Sequence, residues 1–379
     1  MIRRTIALDI SSLDFMTVGG QIRYASDLIR GLTRVAPHLD LLVIGSTEEP
    51  NIRIRDLFAD SPAACRYRQF RRAGFKGGSY IDPLRFRTLL HREKVNVFHA
   101  LHTMIPPRTR CHVVATAYDA MYELFDEYAE ARRSRPYRMH VWALRHLAER
   151  VICISESTAV DVAKYWRVNP DRIEVVHLGI DVQSPPEPVA LRRETATVLT
   201  PWNLEPRKNL RTLLEAFSLI CRERPSLRLV MYGRSGITEE RKREFESHLD
   251  RLGIRSQIEL PGVVSDAELM ELYRSADVFV FPSIYEGFGY PVLEAMAQAT
   301  PVIARKASAM SEVLGDAGVY VETEDASQLA TALASLLDDP VRRQSLGRAA
   351  RERSLQFTVD RMARETLEVY EKLSGKRDE

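Results

Sequence analysis

The chain has 379 residues, 45% of them apolar and 28% charged, with a formal net charge of +2. That is an ordinary globular composition, long enough for two domains with a core each and too nearly neutral to call for nucleic acid. The four cysteines (Cys65, Cys111, Cys153 and Cys221) share no C-x-x-C or metal spacing, so they read as reduced thiols of a cytosolic protein.

Met1–Ile10 carries twin arginines and some apolar residues, but Asp9 interrupts the run, so Thr5–Ile10 is predicted as a first strand rather than a signal peptide. Gly19-Gly20 follows, and the spacing of Ile22, Leu28, Ile29 and Leu32 predicts a helix over Gln21–Leu32. Leu41–Ile44 is a second strand. Cys65–Lys76 interleaves Arg66, Arg68, Arg71, Arg72 and Lys76 with Tyr67, Phe70 and Phe75, which fits an anionic surface, an acidic acceptor or a solvated loop. Asn96–His99 is a strand with His102 just beyond, and His112–Ala117 is another, ending at Tyr118-Asp119. Arg132–Arg150 reads as a basic amphipathic helix that either lies on a membrane or packs on a sheet with its arginines in water. Val151–Ser155 and Ile173–Val176 are strands, with a helix over Ser157–Tyr165 between them.

Proline-rich Gln183–Pro188 (QSPPEP) is the predicted boundary between domains. After the strand Thr197–Thr200 comes PWNLEPRKNL, in which Arg207 and Lys208 open the helix Leu210–Cys221. Two cations at a helix start oppose its dipole and call for an anion. Strands follow at Leu227–Gly233, Ile258–Val264, Asp277–Phe281 and Pro301–Ala304, separated by helices at Glu239–Leu252, Ala267–Ser275 and near Pro291. Gly287, Phe288 and Gly289 lie in the loop before Pro291, where free N–H groups of a helix start attract phosphate. Glu286 and Glu294 flank that start, eight residues apart. Carboxylates accept hydrogen bonds from hydroxyls, so phosphate plus polyol points to a nucleotide-sugar. The chain closes with helices over Ser327–Asp338, Pro340–Gln356 and Thr358–Leu373. Alternating short apolar runs and amphipathic helices predict an α/β protein.

The segment Phe281–Ala304, which holds PS-x-YEGFG-x-PVLEAMA-x-x-TPVIA, together with E-P-R-K-N-L at Glu205–Leu210, resembles the retaining GT-B glycosyltransferases of family four. That group includes many bacterial polysaccharide mannosyltransferases. The resemblance covers nearly the whole chain and is most specific in these two segments. It implies two Rossmann-like domains facing a cleft, with residues 1–183 binding acceptor, 184–356 binding donor, and 357–379 a helix returning to the first domain. It implies that Arg207 and Lys208 clamp the donor diphosphate and that Glu286 binds donor sugar hydroxyls. Glu294 is to bind the ribose or sit beside the phosphate. Gly287, Phe288, Gly289, Pro291 and Val292 belong to the same donor loop and helix start. Val264 marks the segment that meets the nucleobase through its backbone, and Gly19-Gly20 lets backbone approach the diphosphate or the acceptor.

Three positions depart from the family pattern. Tyr118 stands where many relatives have His, before Asp119, so Tyr118 or a nearby His99 or His102 fills that space; Asp119 holds the loop or serves the reaction. Trp202 replaces a small residue and narrows the donor pocket or reaches the acceptor. Ala299 replaces a glycine, which reads as a packing detail.

The implied reaction moves a hexose, with mannose from a GDP-sugar as the leading choice, onto a hydroxyl of a lipid-linked glycan in bacterial surface polysaccharide synthesis. Configuration is retained, and no cofactor or metal is expected, since no D-x-D sequence is present. UDP-sugar donors, a small soluble acceptor, and a non-catalytic nucleotide-sugar-binding partner are the alternatives. The expected location is cytoplasmic, with peripheral contact on the inner membrane face and no nucleic acid partner.

Overall fold

The computed structural model describes residues 4–13, 19–50, 54–55, 57, 65–70, 73–75, 78–80, 83–101, 105–106, 109–181, 195–233, 238–321 and 325–374. The chain divides into two compact units, Met1–Asp181 with Thr358–Glu379, and Val182–Phe357. The Gln183–Pro188 stretch and His102 lie outside the described residues.

The first unit is built on a seven-stranded sheet in the order β3-β2-β1-β6-β7-β8-β9. Its strands are β1 (Thr5–Asp9), β2 (Asp40–Gly45), β3 (Cys65–Gln69), β6 (Val97–Ala100), β7 (His112–Ala117), β8 (Arg150–Cys153) and β9 (Ile173–Val175). Every pairing is parallel. Parallel strands are covered by helices on both faces, which is why β1, β6 and β7 are buried at every position. A short antiparallel hairpin, β4 (Ala73–Phe75) and β5 (Gly78–Tyr80), lies outside this sheet.

The C-terminal helix Val359–Ser374 packs in this first unit against the helix Gly20–Val35. Close approach is possible because Gly31 has no side chain: a Cβ there would sit 2.7 Å from the Ala363 Cβ and 2.9 Å from the Val359 carbonyl. Arg34 ties the contact, reaching Asp181 and Asp360 at 2.7 Å each.

The second unit carries a six-stranded sheet in the order β12-β11-β10-β13-β14-β15. The strands are β10 (Thr197–Pro201), β11 (Arg228–Tyr232), β12 (Ile258–Gly262), β13 (Val278–Phe281), β14 (Val302–Arg305) and β15 (Val319–Val321). All are parallel. The helix Leu210–Cys221 buries Leu213, Leu214, Phe217 and Ile220 in the core, at the helical spacing its sequence shows. In both units the first strand is central and the order reverses beside it, at β1/β6 and at β10/β13. Ligands of open α/β sheets bind outside the strand C-terminal ends at such a switch point.

Two segments differ from expectation. Cys65–Gln69, read as part of a basic loop or surface patch, is strand β3: Arg66 and Arg68 are held by Asp40 and Glu93 at 2.7–2.9 Å. Local charge hid a strand that only its partner β2 defines. The expected long helix Arg132–Arg150 is broken at Ser134, whose hydroxyl accepts from the Tyr137 amide, and restarts as Arg135–Leu147. Pro136 fits the first turn of that second helix and no helix interior.

Candidate functional site: a cation pair and a carboxylate at the switch point of the second unit

The loops after β10 and β13 leave adjacent strands and meet. The first forms a short turn, Pro206–Lys208, followed by Asn209 in the left-handed conformation (φ 53) at the start of the helix Leu210–Cys221. Asparagine tolerates that conformation better than most residues, and its Oδ1 accepts from the Thr212 hydroxyl at 2.7 Å. Backbone bonds strap the two loops: the Ile284 amide donates to the Arg207 carbonyl at 2.7 Å, and the Arg207 guanidinium donates to the Tyr285 carbonyl at 3.3 Å.

Across this strap Lys208 Nζ donates to Glu286 Oε1 at 2.6 Å, and an Arg207 guanidinium nitrogen lies 3.5 Å from Glu286 Oε2. Arg207 also pairs with Glu205 at 2.8 Å, and Lys208 stands 5.6 Å from the centre of the Phe281 ring. The three central side chains are 12–18% exposed. Burial pushes the Glu286 carboxyl up, but the charges of Lys208 and Arg207, with a hydrogen bond from Ser283, hold it below the usual carboxylate range. Glu286 is therefore an anion at neutral pH. Its backbone amide donates to the Ser308 hydroxyl at 2.8 Å.

Glu294, on the helix Tyr290–Ala297, is 4% exposed and accepts from the Tyr273 hydroxyl at 2.8 Å. The start of that helix differs from expectation. Pro291 has no N–H, and the amides of Val292 and Leu293 turn back to the Gly289 carbonyl at 3.0 and 3.2 Å. Neither of these two amides is left for an anion. Gly289 has φ 111 and lies against Met310, so a side chain there is strained and crowded. Phe288 is buried against Tyr290 and Phe357, and Val292 is fully buried, so both serve packing through their side chains.

Val264 is half-buried just past β12, before Ser265 caps the next helix. Trp202 continues β10, donates its amide to the Tyr232 carbonyl at 2.7 Å and packs its ring 5.9 Å from Phe245. Packing against Phe245 gives this large residue a place in the core of the second unit.

The remaining predicted residues lie in the first unit. Gly19 (φ 134) precedes the helix Gly20–Val35 with nothing within 4 Å of an added Cβ. Asp119 accepts from the Met121 amide at 3.1 Å, which shapes its loop. Tyr118 is half-buried, its ring 5.6 Å from that of Tyr24. His99 is not exposed to solvent. It is fully buried, with one ring nitrogen 2.7 Å from the Tyr370 hydroxyl and the other 2.8 Å from the Thr116 hydroxyl, and burial pushes its pKa down to about 3. Apolar β6 neighbours in the sequence carried no sign of that role. Ser283, Ser308 and Tyr273, which support the two glutamates, were not singled out either; serines and a tyrosine without charge or spacing give no sequence signal.

Comparison with known proteins shows the family. Residues 185–353 match the family model described as glycosyl transferases group 1, and residues 18–184 match glycosyltransferase family 4. The chain belongs to this glycosyltransferase family, and its fold is GT-B. It is 29% identical over 304 residues to the O-antigen chain mannosyltransferase B of Escherichia coli, covering 77% of this chain and 78% of that protein. It is 34% identical over 229 residues to the MMP alpha-(1->4)-mannosyltransferase of Mycolicibacterium hassiacum, covering 59% and 54%, so it spans about half of that relative. Among solved structures, Anabaena HepE in complex with UDP-glucose superposes with a TM-score of 0.75 at 18% identity, over 98% of this chain and 99% of that one.

Proposed function

We propose that the protein transfers a hexose, with mannose from GDP-mannose as the leading donor, onto a hydroxyl of a lipid-linked glycan, with retained anomeric configuration. The observation that carries this reading is the Lys208–Glu286–Arg207 cluster at the β10/β13 switch point. Two cations there suit a diphosphate leaving group, preorganised positive charge being the largest single contribution such sites make. In this reading no metal is needed, and transfer proceeds in the presence of a chelator. Glu286, ionised and fixed at its backbone by Ser308, accepts hydrogen bonds from donor sugar hydroxyls. The two mannosyltransferase relatives favour mannose. The HepE complex keeps a UDP-sugar as the second reading.

Two variants test the assignment. Glu286→Gln removes the anion that holds Lys208 and Arg207 but leaves both cations. Sugar transfer is expected to fall at least about a hundredfold, as for loss of one transition-state contact, while nucleoside diphosphate binding stays equal or tightens. Arg207→Ala is expected to weaken nucleoside diphosphate far more than nucleoside. Unchanged turnover in the first, or equal losses in the second, would contradict the roles.

A further inference from the structure

Glu294 does not stand alone. Tyr273, fully buried on the helix Asp266–Ser275, donates to its Oε2 at 2.8 Å, and the hydroxyls of Tyr273 and Tyr232 lie 2.5 Å apart. Tyr232 ends β11 at the sheet's C-terminal edge and is 8% exposed. The direction of this chain is fixed by chemistry. The Tyr273 hydroxyl donates to Glu294, and a hydroxyl has one proton to give. The Tyr273 oxygen is then the acceptor, and the Tyr232 proton points at Tyr273. Tyr273 is also held at its backbone, where its carbonyl accepts from the Thr300 hydroxyl at 2.7 Å, and at its ring, which meets Tyr232 and Phe279 edge-on at 5.7 and 5.4 Å. A ring fixed at both ends delivers its hydroxyl to one place.

We propose that Tyr273 is a positioning residue: with Tyr232 behind it, it holds Glu294 in one rotamer as an acceptor for a vicinal diol of the donor nucleotide's ribose. This rests on the proposed donor site and on the ribose role that the family resemblance implies for Glu294. A carboxylate on eight residues of helix, with long side-chain torsions, would otherwise lose rotamer freedom on binding; the tyrosine chain orders it beforehand. A site built to accept hydroxyl protons rejects an analogue that lacks them, because its own polar group is then left unpaired. The consequence is a preference for ribonucleotides over deoxyribonucleotides that depends on a side chain touching neither.

The test is calorimetric binding of GDP and UDP, each against its 2′-deoxy and 3′-deoxy counterparts, to the full chain and to Tyr273→Phe, Glu294→Gln and the double variant. Glu294→Gln is expected to lose most of the preference for ribose. Tyr273→Phe is expected to lower that preference by up to about tenfold, the upper end for one hydrogen bond, with deoxynucleotide affinity unchanged. The double variant is expected to be no worse than Glu294→Gln, since the tyrosine acts through the glutamate. If Tyr273→Phe does not fold, Tyr232→Phe is expected to give a smaller loss in the same direction. Full ribose preference in Tyr273→Phe beside a loss in Glu294→Gln overturns the positioning role and leaves the donor site standing. An equal loss for ribo- and deoxynucleotides overturns it as well. Ribose preference intact in Glu294→Gln overturns the ribose contact of Glu294, and with it the positioning role, while the Arg207–Lys208–Glu286 site stands.

Discussion

Single residues show where chemistry in the sequence was readable and where conformation was not. Arg207 and Lys208 stand out because two cations at a helix start call for an anion, and Glu286 because a carboxylate beside an anion site suits hydroxyls; the structure brings the three together in mutual ion pairs. Ala299 was read as a packing detail, but its φ is 59, a left-handed conformation that an alanine occupies at a cost of about 1–2 kcal/mol. Glycine relieves that strain while raising unfolded-state entropy by about 0.4–1 kcal/mol. Ala299→Gly is therefore expected to stabilise the second unit by about 0.5–1 kcal/mol, read as a higher denaturation midpoint; a lower midpoint would contradict the strain. His99 is the opposite case, a polar residue whose role is structural. Its folded pKa of about 3 lies below the ordinary 6.5, so the unfolded chain binds the extra proton between those values. Its contribution is complete above pH 6.5 and is lost as pH falls toward 3. In the same unit Asp27, raised by burial to about 6 despite Arg23 and Arg30, acts with the opposite sign between pH 6 and 3.8. His99→Asn is thus expected to destabilise the protein at pH 7.5 and to flatten its loss of stability on acidification to pH 4.5. Parallel pH profiles for the two proteins would contradict this.

At the scale of elements, those with their own periodicity were legible. The helix Leu210–Cys221 and the buried runs of β1, β7 and β13 carry it in their apolar residues. Strand β3 was not, because its alternation is masked by arginines that meet Asp40 and Glu93 from distant sequence. The helix Arg135–Leu147 shows what side-chain direction adds. Arg135, Arg138, Met139, Trp142, Arg145 and His146 fall on one exposed face, with Met139 and Trp142 55% and 54% exposed, while Ala143 and Leu144 point into the core. Arginines around an outward tryptophan suit an anionic bilayer surface. Among the described residues no helix is long and apolar enough to cross a membrane, so such contact would be peripheral. The wild-type protein is expected to sediment with vesicles containing anionic lipid at low salt, and the combined Arg138→Glu and Trp142→Ala variant to stay in the supernatant. Equal sedimentation of both would remove this face from the account.

For the whole molecule, alternation of short apolar runs and amphipathic helices marks an α/β protein, since buried strands and amphipathic crossovers each leave a pattern; the two-domain arrangement is implied by the family resemblance. What the pattern could not show is which loops meet. That depends on strand order, and the order places β10 beside β13, so residues 78 positions apart in sequence form one site. The measurement that tests the central claim most directly is a thermal-shift series of the purified protein with GDP, UDP, GDP-mannose and UDP-sugars, with and without magnesium, repeated on Arg207→Ala. A ligand that binds the folded state raises its apparent stability by mass action. The account predicts a guanine-selective rise that does not need magnesium and disappears in the variant. A rise with uracil nucleotides alone would change the donor while keeping the site, and no rise with any nucleotide, or one untouched by loss of Arg207, would contradict it.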